Sequence, residues 1–396
     1  MPSNRELFLR HMAQTSSAPL LLEIDRAEGV YMYDQNGKAI IDLISGIGVS
    51  NVGHRHPRVV QAIHEQTNKY LHLMVYGELI QTPQVKLSQK LCDLLPSTLN
   101  SVYLVNSGSE AVEGAMKLAK RHTGRFEIIA CHNAYHGSTQ GSLSLNGNEY
   151  FKEAYRPLLP GIRHIRFGQT EDLQHITTDT AAIILETVQG EAGVRTTTPA
   201  YFSALRKKCN ETGTLLILDE VQCGFGRTGT FWAFEQFGIV PDILVCAKGM
   251  GGGMPIGAFI SPQEIMHSLS EDPVLGHITT FGGHPVSCAA SLATIDVILS
   301  ESLVSQVKEK ELLFKKHLNH PAIKEIRSCG LLMAAEMENY DTLKMVIDRA
   351  IELGVLTDWF LFCDNSMRIA PPLTISHEEI VNTCNIIKQA IKETKA

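Results

Sequence analysis

Leu215-Leu216-Ile217-Leu218-Asp219-Glu220-Val221-Gln222 is an apolar run that ends on two carboxylates. The next apolar run, Ile243-Leu244-Val245-Cys246-Ala247-Lys248, ends on a lysine and opens into Gly249-Met250-Gly251-Gly252-Gly253. Both are apolar at consecutive rather than alternate positions, the pattern of a strand covered on both faces of a parallel sheet. Outward from this pair, at 215–221 and 243–248, further β-rich runs lie at 102–105, 127–131, 181–186 and 257–260. Helical periodicity separates many of them, as at 110–120 and 199–208. Strands alternating with helices predict an α/β fold with a mostly parallel central sheet between layers of helices.

At 396 residues the chain is long enough for two or three lobes. Near the start, strand-like runs at 29–34 and 38–43 flank Gln35-Asn36-Gly37-Lys38, and Asn-Gly between two such runs predicts a hairpin. A loop at 51–57 leads to a helix at 59–70, and a long helix follows Pro285 over 286–299. Amphipathic helices at 303–318, 341–353 and 377–395, with strands between them, make the last part a smaller α+β lobe. The expected division is 1–50 as a segment packing on the small domain, 51–290 as the large domain and 291–396 as the small domain.

Composition narrows the function. Thirty-five basic residues against 42 acidic ones give a net charge of −7, so there is no overall basic footprint for nucleic acid. No run approaches a membrane helix or a signal peptide. Nine cysteines with no C-x-x-C pair read as a reduced cytoplasmic protein. His54 with His56 and His132 with His136 lack a third ligand at helical spacing, so no metal site is expected.

Gly224-Phe225-Gly226-Arg227-Thr228-Gly229 is a literal G-x-G-x-x-G and raises a nicotinamide dehydrogenase as one alternative. That fingerprint belongs in the first strand–helix turn of its fold, whereas this strand follows several others. Asp219 and Glu220 would also repel a pyrophosphate there.

Four other features sit at strand ends. Asn106-Ser107-Gly108-Ser109-Glu110 precedes a helix, and Ser107 with Glu110 matches a capping box whose free amides would also cradle a phosphate. Tyr135-His136-Gly137 places an aromatic ring just beyond a strand. Asp219 is costly to bury without a cation, and Lys248 emerges from a buried strand as a candidate low-pKa amine. Each has an ordinary explanation: a cap, a packed ring, a loop salt bridge, a snorkelling lysine. In an open parallel sheet, however, all four would face one crevice at the carboxyl ends of the strands. Together they supply what pyridoxal 5'-phosphate requires: an amine for its aldehyde, an acid for its ring nitrogen and a dipole for its phosphate.

With these residues in place the sequence resembles the class III pyridoxal-phosphate-dependent aminotransferases of fold type I. That group includes acetylornithine, ornithine and 4-aminobutyrate aminotransferases. The resemblance runs through 42–57, 107–111, 135–137, Gln189-Gly190-Glu191-Ala192-Gly193, 218–222, 247–249, 279–283 and Arg368 with Pro371-Pro372-Leu373. It implies that Lys248 forms the Schiff base and shuttles the proton, while Asp219 keeps the ring nitrogen protonated. Ser107, Gly108 and Ser109 would hold the phosphate, Tyr135 and Val221 the ring faces and Gln222 the phenolic oxygen, with His136 and Glu186 nearby. Thr280 would reach the phosphate of a neighbouring subunit, which implies a homodimer with shared active sites.

By the same resemblance, Glu191, Arg368 and Tyr76 meet the substrates. Glu191 would neutralise Arg368 while an ω-amino donor is bound, then move away for the carboxylate of 2-oxoglutarate in a ping-pong cycle. An ornithine- or acetylornithine-like donor is expected; 4-aminobutyrate, lysine, another amine, or an aminomutase reaction are the alternatives. The sequence departs from the family pattern at Ser138, where the expected residue is an arginine that binds the donor carboxylate, at Thr187 for proline and at His284 for asparagine.

Overall fold

Most of the apolar runs become strands of one seven-stranded sheet in the computed structural model, which describes residues 2–394. In chain order the strands are β1 (Ile24–Glu28), β2 (Tyr31–Asp34), β3 (Ala39–Asp42), β4 (Ser101–Val105), β5 (Glu127–Cys131), β6 (Ile162–Ile165), β7 (Thr180–Glu186) and β8 (Leu215–Asp219). They continue with β9 (Ile243–Cys246), β10 (Gly257–Ser261), β11 (Glu325–Cys329), β12 (Leu332–Glu336), β13 (Val355–Leu356), β14 (Trp359–Phe360) and β15 (Cys363–Ile369). The large sheet has the order β4-β10-β9-β8-β7-β5-β6.

From β6 to β9 every pairing is parallel. β10 runs antiparallel to both β4 and β9, so the sheet is mixed towards one edge. Because β10 reverses between them, β4 and β9 still point the same way. The carboxyl ends of β4, β5, β7, β8 and β9 therefore gather on one side. The continuous apolar runs follow from burial on both faces: β7, β8, β9 and β10 are buried at every position. Successive side chains feed different cores, Leu216, Leu218 and Leu244 joining one cluster and Ile217, Ile243 and Val245 the other.

Two strands end earlier than their apolar runs. β8 stops at Asp219, and β9 stops at Cys246 because Lys248 turns into the left-handed region with φ 45°. β1 and β6 carry too little apolar alternation to be read from sequence; each is recruited by pairing with a neighbour.

The expected hairpin is β2–β3, with Tyr31 opposite Ile41. Its turn is held by Asp34, whose Oδ1 accepts from the Asn36 and Lys38 amides at 2.9 and 2.8 Å, while Gly37 takes φ 80°. β13 adds to β3 in parallel, so the first strands and the last part of the chain share a sheet. The remaining sheet is antiparallel, β11-β12-β15-β14. The helix Pro285–Ser300 runs through residue 290, where a domain boundary was expected. The helix at the C-terminus ends at Glu393, and residue 395 of its expected range lies outside the described residues.

The G-x-G-x-x-G segment does not open a helix. A 3₁₀ turn, Ala233–Phe237, comes next, and Gly226 packs so closely that a Cβ would meet Leu373 Cδ1 at 3.0 Å. Arg227 is fully buried and donates to Asn51 Oδ1 and to the carbonyls of Leu331 and Pro371. Burial pulls its pKa down to about 9. The glycines thus let a loop clasp the C-terminal part of the chain, and no phosphate site forms there. Arg227→Ala leaves three buried acceptors unsatisfied and a void. The unfolding free energy, followed by urea denaturation, should fall by about 3 kcal/mol or more.

Candidate active site

The strand ends surround a cavity of about 430 Å³. One wall is the start of the helix Gly108–Thr123. Ser107 caps it, its hydroxyl accepting from the Glu110 amide at 3.2 Å. The expected capping box is displaced by one residue, because Glu110 Oε2 accepts from the backbone and side-chain nitrogens of Asn106 at 2.8 and 2.9 Å. The helix dipole and the free amides of this first turn face the cavity. A Cβ on Gly108 would sit 3.0 Å from Val221 Cγ1, so the backbone approaches the site only as glycine allows.

The floor carries the carboxylates. Asp219 Oδ1 accepts from the Val221 amide at 2.9 Å, and its Oδ2 lies 2.8 Å from His136 Nδ1. Glu186 accepts from the amides of Tyr135 and Gly190 at 3.0 and 2.9 Å, which fixes the turn that presents Tyr135. Burial pushes Glu186 up to about 7, against the pull of His136 and with Asp219 adding to the rise. The Tyr135 hydroxyl pairs with Ser138 Oγ at 3.0 Å.

Lys248 lies opposite. Burial lowers its pKa while Glu191, Asp219 and Glu186 oppose the shift, and its amine has no hydrogen bond or ion pair among the described residues. Its left-handed backbone turns the chain sharply out of β9 at the cavity wall.

Glu191 lines the same cavity and binds Arg368 through two parallel bonds of 3.0 and 2.9 Å. Burial alone would raise Glu191, but the guanidinium overrides it and holds the carboxyl at about 2. Gln222 Nε2 donates to Glu191 Oε1 at 3.1 Å. Arg368 Nε meets Asp358 Oδ1 at 2.8 Å.

The structure thus gathers Ser107, Gly108, Ser109, Tyr135, His136, Glu186, Asp219, Val221, Gln222, Glu191 and Lys248 at one cavity, with Arg368 directly behind Glu191. It does not bring Tyr76 or Thr280 to it. Tyr76 stacks on Tyr103 with ring centroids 4.5 Å apart, and its hydroxyl meets β4 at Val102 O and the Leu104 amide. Thr280 is exposed on the surface of the chain. Sequence reasoning missed Val49 and Met254-Pro255-Ile256, which form an apolar wall, and Asp358. Only the glycine run 251–253 hinted at the wall; nothing local marked Asp358.

A lysine and a carboxylate facing a helix N-terminus across one cavity, on this sheet, define a fold type I pyridoxal-phosphate-dependent enzyme. The family model for class-III aminotransferases matches residues 12–391, and the chain belongs to that family. It is 38% identical over 383 residues to an acetylornithine aminotransferase of Methanocaldococcus jannaschii, covering 93% of each chain. A second acetylornithine aminotransferase, from Methanopyrus kandleri, is 37% identical, with 96% of this chain and 97% of that one covered. Among solved structures, the ornithine aminotransferase of Toxoplasma gondii ME49 superposes with a TM-score of 0.92 at 27% identity, over 100% of this chain and 96% of that one. A transaminase of the marine bacterium Virgibacillus gives 0.93 at 27% identity, over 99% and 98%.

The protein is therefore a pyridoxal-phosphate-dependent aminotransferase. Its cavity suits that cofactor on two counts. The buried atoms His136 Nε2 and Gln222 Oε1 have no partner among the described residues, and the helix start at Ser107, Gly108 and Ser109 lines the cavity, where its dipole favours an anion.

Glu186 sets a pH dependence. From the ordinary 4.5 up to about 7 the folded chain keeps a proton here that the unfolded chain has released, so this contribution to stability falls as pH rises through that window. Glu186→Gln has no such proton to lose. Between about pH 5 and about pH 8, chemical denaturation should show the stability difference moving by roughly 2–3 kcal/mol in favour of the variant.

Proposed function

We propose that this aminotransferase moves an amino group from the ω-amino end of an ornithine- or acetylornithine-like donor to 2-oxoglutarate in a ping-pong cycle. The observation that carries this reading is the buried Glu191–Arg368 pair in the wall shared with Lys248. With Glu191 in place, the guanidinium is masked and an uncharged or cationic chain can enter. With Glu191 withdrawn, the same guanidinium offers two parallel donors to a carboxylate. The acetylornithine aminotransferase relatives support the ω-amino donor.

Pyridoxal phosphate, when bound, supplies the aldehyde that takes up the amino group and the ring that accepts electrons. Ser107, Gly108 and Ser109 would hold its phosphate at the helix end. Tyr135 and Val221 would cover the two ring faces, with Gln222 near the phenolic oxygen and His136 and Glu186 behind. Asp219 would keep a negative charge against the ring nitrogen, its geometry fixed by the Val221 amide and His136. Lys248, favoured as the neutral amine by burial, can attack as a nucleophile. Once displaced by the donor amine, it can take the proton from the donor's amine-bearing carbon and return it on the far side of the transfer.

Thr280, exposed and outside the cavity of its own chain, fits a homodimer in which each subunit completes its partner's site, and the setting is the cytoplasm. Ser138 favours a second donor class. Its hydroxyl is paired with Tyr135 and offers a donor carboxylate no cation, so simple amines and diamines without a carboxylate belong in the donor panel beside 4-aminobutyrate and lysine.

Lys248→Ala should lose the long-wavelength absorbance of the loaded enzyme and lower turnover by about 10³-fold or more. Arg368→Ala should slow the half-reaction with glutamate by about 10²-fold while an amine donor without a carboxylate reacts at a near wild-type rate. Equal rates with glutamate in Arg368→Ala and wild type would remove the acceptor assignment.

A further inference from the structure

The Glu191–Arg368 pair has a third member. Arg368 lies on β15, and its amide donates to the Asp358 carbonyl across the neighbouring strand at 2.9 Å. This register brings the Asp358 carboxylate to Nε, the one guanidinium nitrogen that Glu191 leaves free. Nη2 also donates to the Trp359 carbonyl at 3.3 Å, and the Phe360 ring lies under the guanidinium carbon at 4.3 Å. The cation is thus held at Nε and from one face, and the edge carrying Nη1 and Nη2 stays aimed at Glu191. Arg368 is 2% exposed, so water offers it little compensation.

Exchange of Glu191 for a substrate carboxylate passes through an interval in which neither touches the guanidinium. A buried guanidinium with no counter-ion is strongly destabilised. We propose that Asp358 is a positioning residue for this exchange: it keeps Arg368 paired and aimed while Glu191 has let go and the incoming carboxylate has not yet arrived. This rests on the acceptor role of Arg368 proposed above. Glu191 and the substrate carboxylate use the same edge, and Asp358 is bound before, during and after. It therefore lowers the barrier between two closed states without favouring either.

The signature is kinetic. Glutarate, a dicarboxylate with no keto group to react, serves as the probe, and stopped-flow absorbance of the holoenzyme follows its binding. In Asp358→Asn, which keeps the shape and removes the charge, the association and dissociation rates should both fall about tenfold, with Kd within about threefold of wild type. In a Glu191→Ala background the interval is permanent. There the same Asp358→Asn change should not slow binding and should tighten it, because an uncompensated guanidinium awaits the ligand.

Unchanged rates in Asp358→Asn overturn the proposal. So does a weaker Kd in both backgrounds, the mark of a merely structural lesion. Arg368→Ala separates the two levels of the argument. If it abolishes glutarate binding while Asp358→Asn leaves the rates alone, only the role of Asp358 falls. If it binds glutarate as wild type does, the acceptor reading falls and the role of Asp358 falls with it.

Discussion

A dry sheet that releases charge at only one end is the constraint on which the rest of this molecule depends. β7, β8 and β9 are apolar and buried along their length, and the ionisable groups come where they stop: Glu186, Asp219 and, just beyond, Lys248. With so little water there, each group has to be answered by another part of the chain. Glu186 is answered by two amides, Asp219 by an amide and His136, and Glu191 by Arg368. Lys248 is the exception among these groups. Its amine has no bonded partner among the described residues, and burial pushes it towards the neutral form that the chemistry needs.

The two ends of the chain serve this arrangement from outside the large sheet. β15 supplies Arg368, and the link between β13 and β14 supplies Asp358. Arg227, clasping the Leu331 and Pro371 carbonyls, ties the turns after β8 to the C-terminal part. Asn51 links both sides: its side chain accepts from Arg227 and donates to the Phe225 carbonyl, and its own carbonyl accepts from the Leu373 amide. The donor and acceptor machinery is therefore assembled from segments far apart in the chain but joined by fully buried polar bonds.

Much of this was legible in the sequence because its signals are local. Consecutive apolar residues ending on Asp219 and on Lys248 betray strands buried on both faces with their charges at the mouth. Asn36-Gly37 betrays the hairpin. What escaped depends on pairing at long range. β1 and β6 are too polar to announce themselves and exist because a neighbour offers a free edge. The antiparallel course of β10 cannot be read from composition, since strand direction leaves no mark on which residues are buried. Ser107 and Glu110 have the right spacing for reciprocal capping, yet Asn106 takes the glutamate instead, a competition between donors that spacing does not resolve. Asp358 was invisible for a similar reason: its meaning comes from a register with Arg368 that only the folded strands establish.

The backbone at position 248 has an evolutionary consequence. A side chain at φ 45° is strained by about 1 kcal/mol or more relative to glycine, and its amine, at the cavity wall, is desolvated enough to lower its pKa. Both facts oppose folding, so glycine in this place would relax the turn and spare the desolvation. Heat tolerance and turnover thus pull against each other at this single codon. Selection for thermal endurance alone would erode the residue that makes the fold an enzyme.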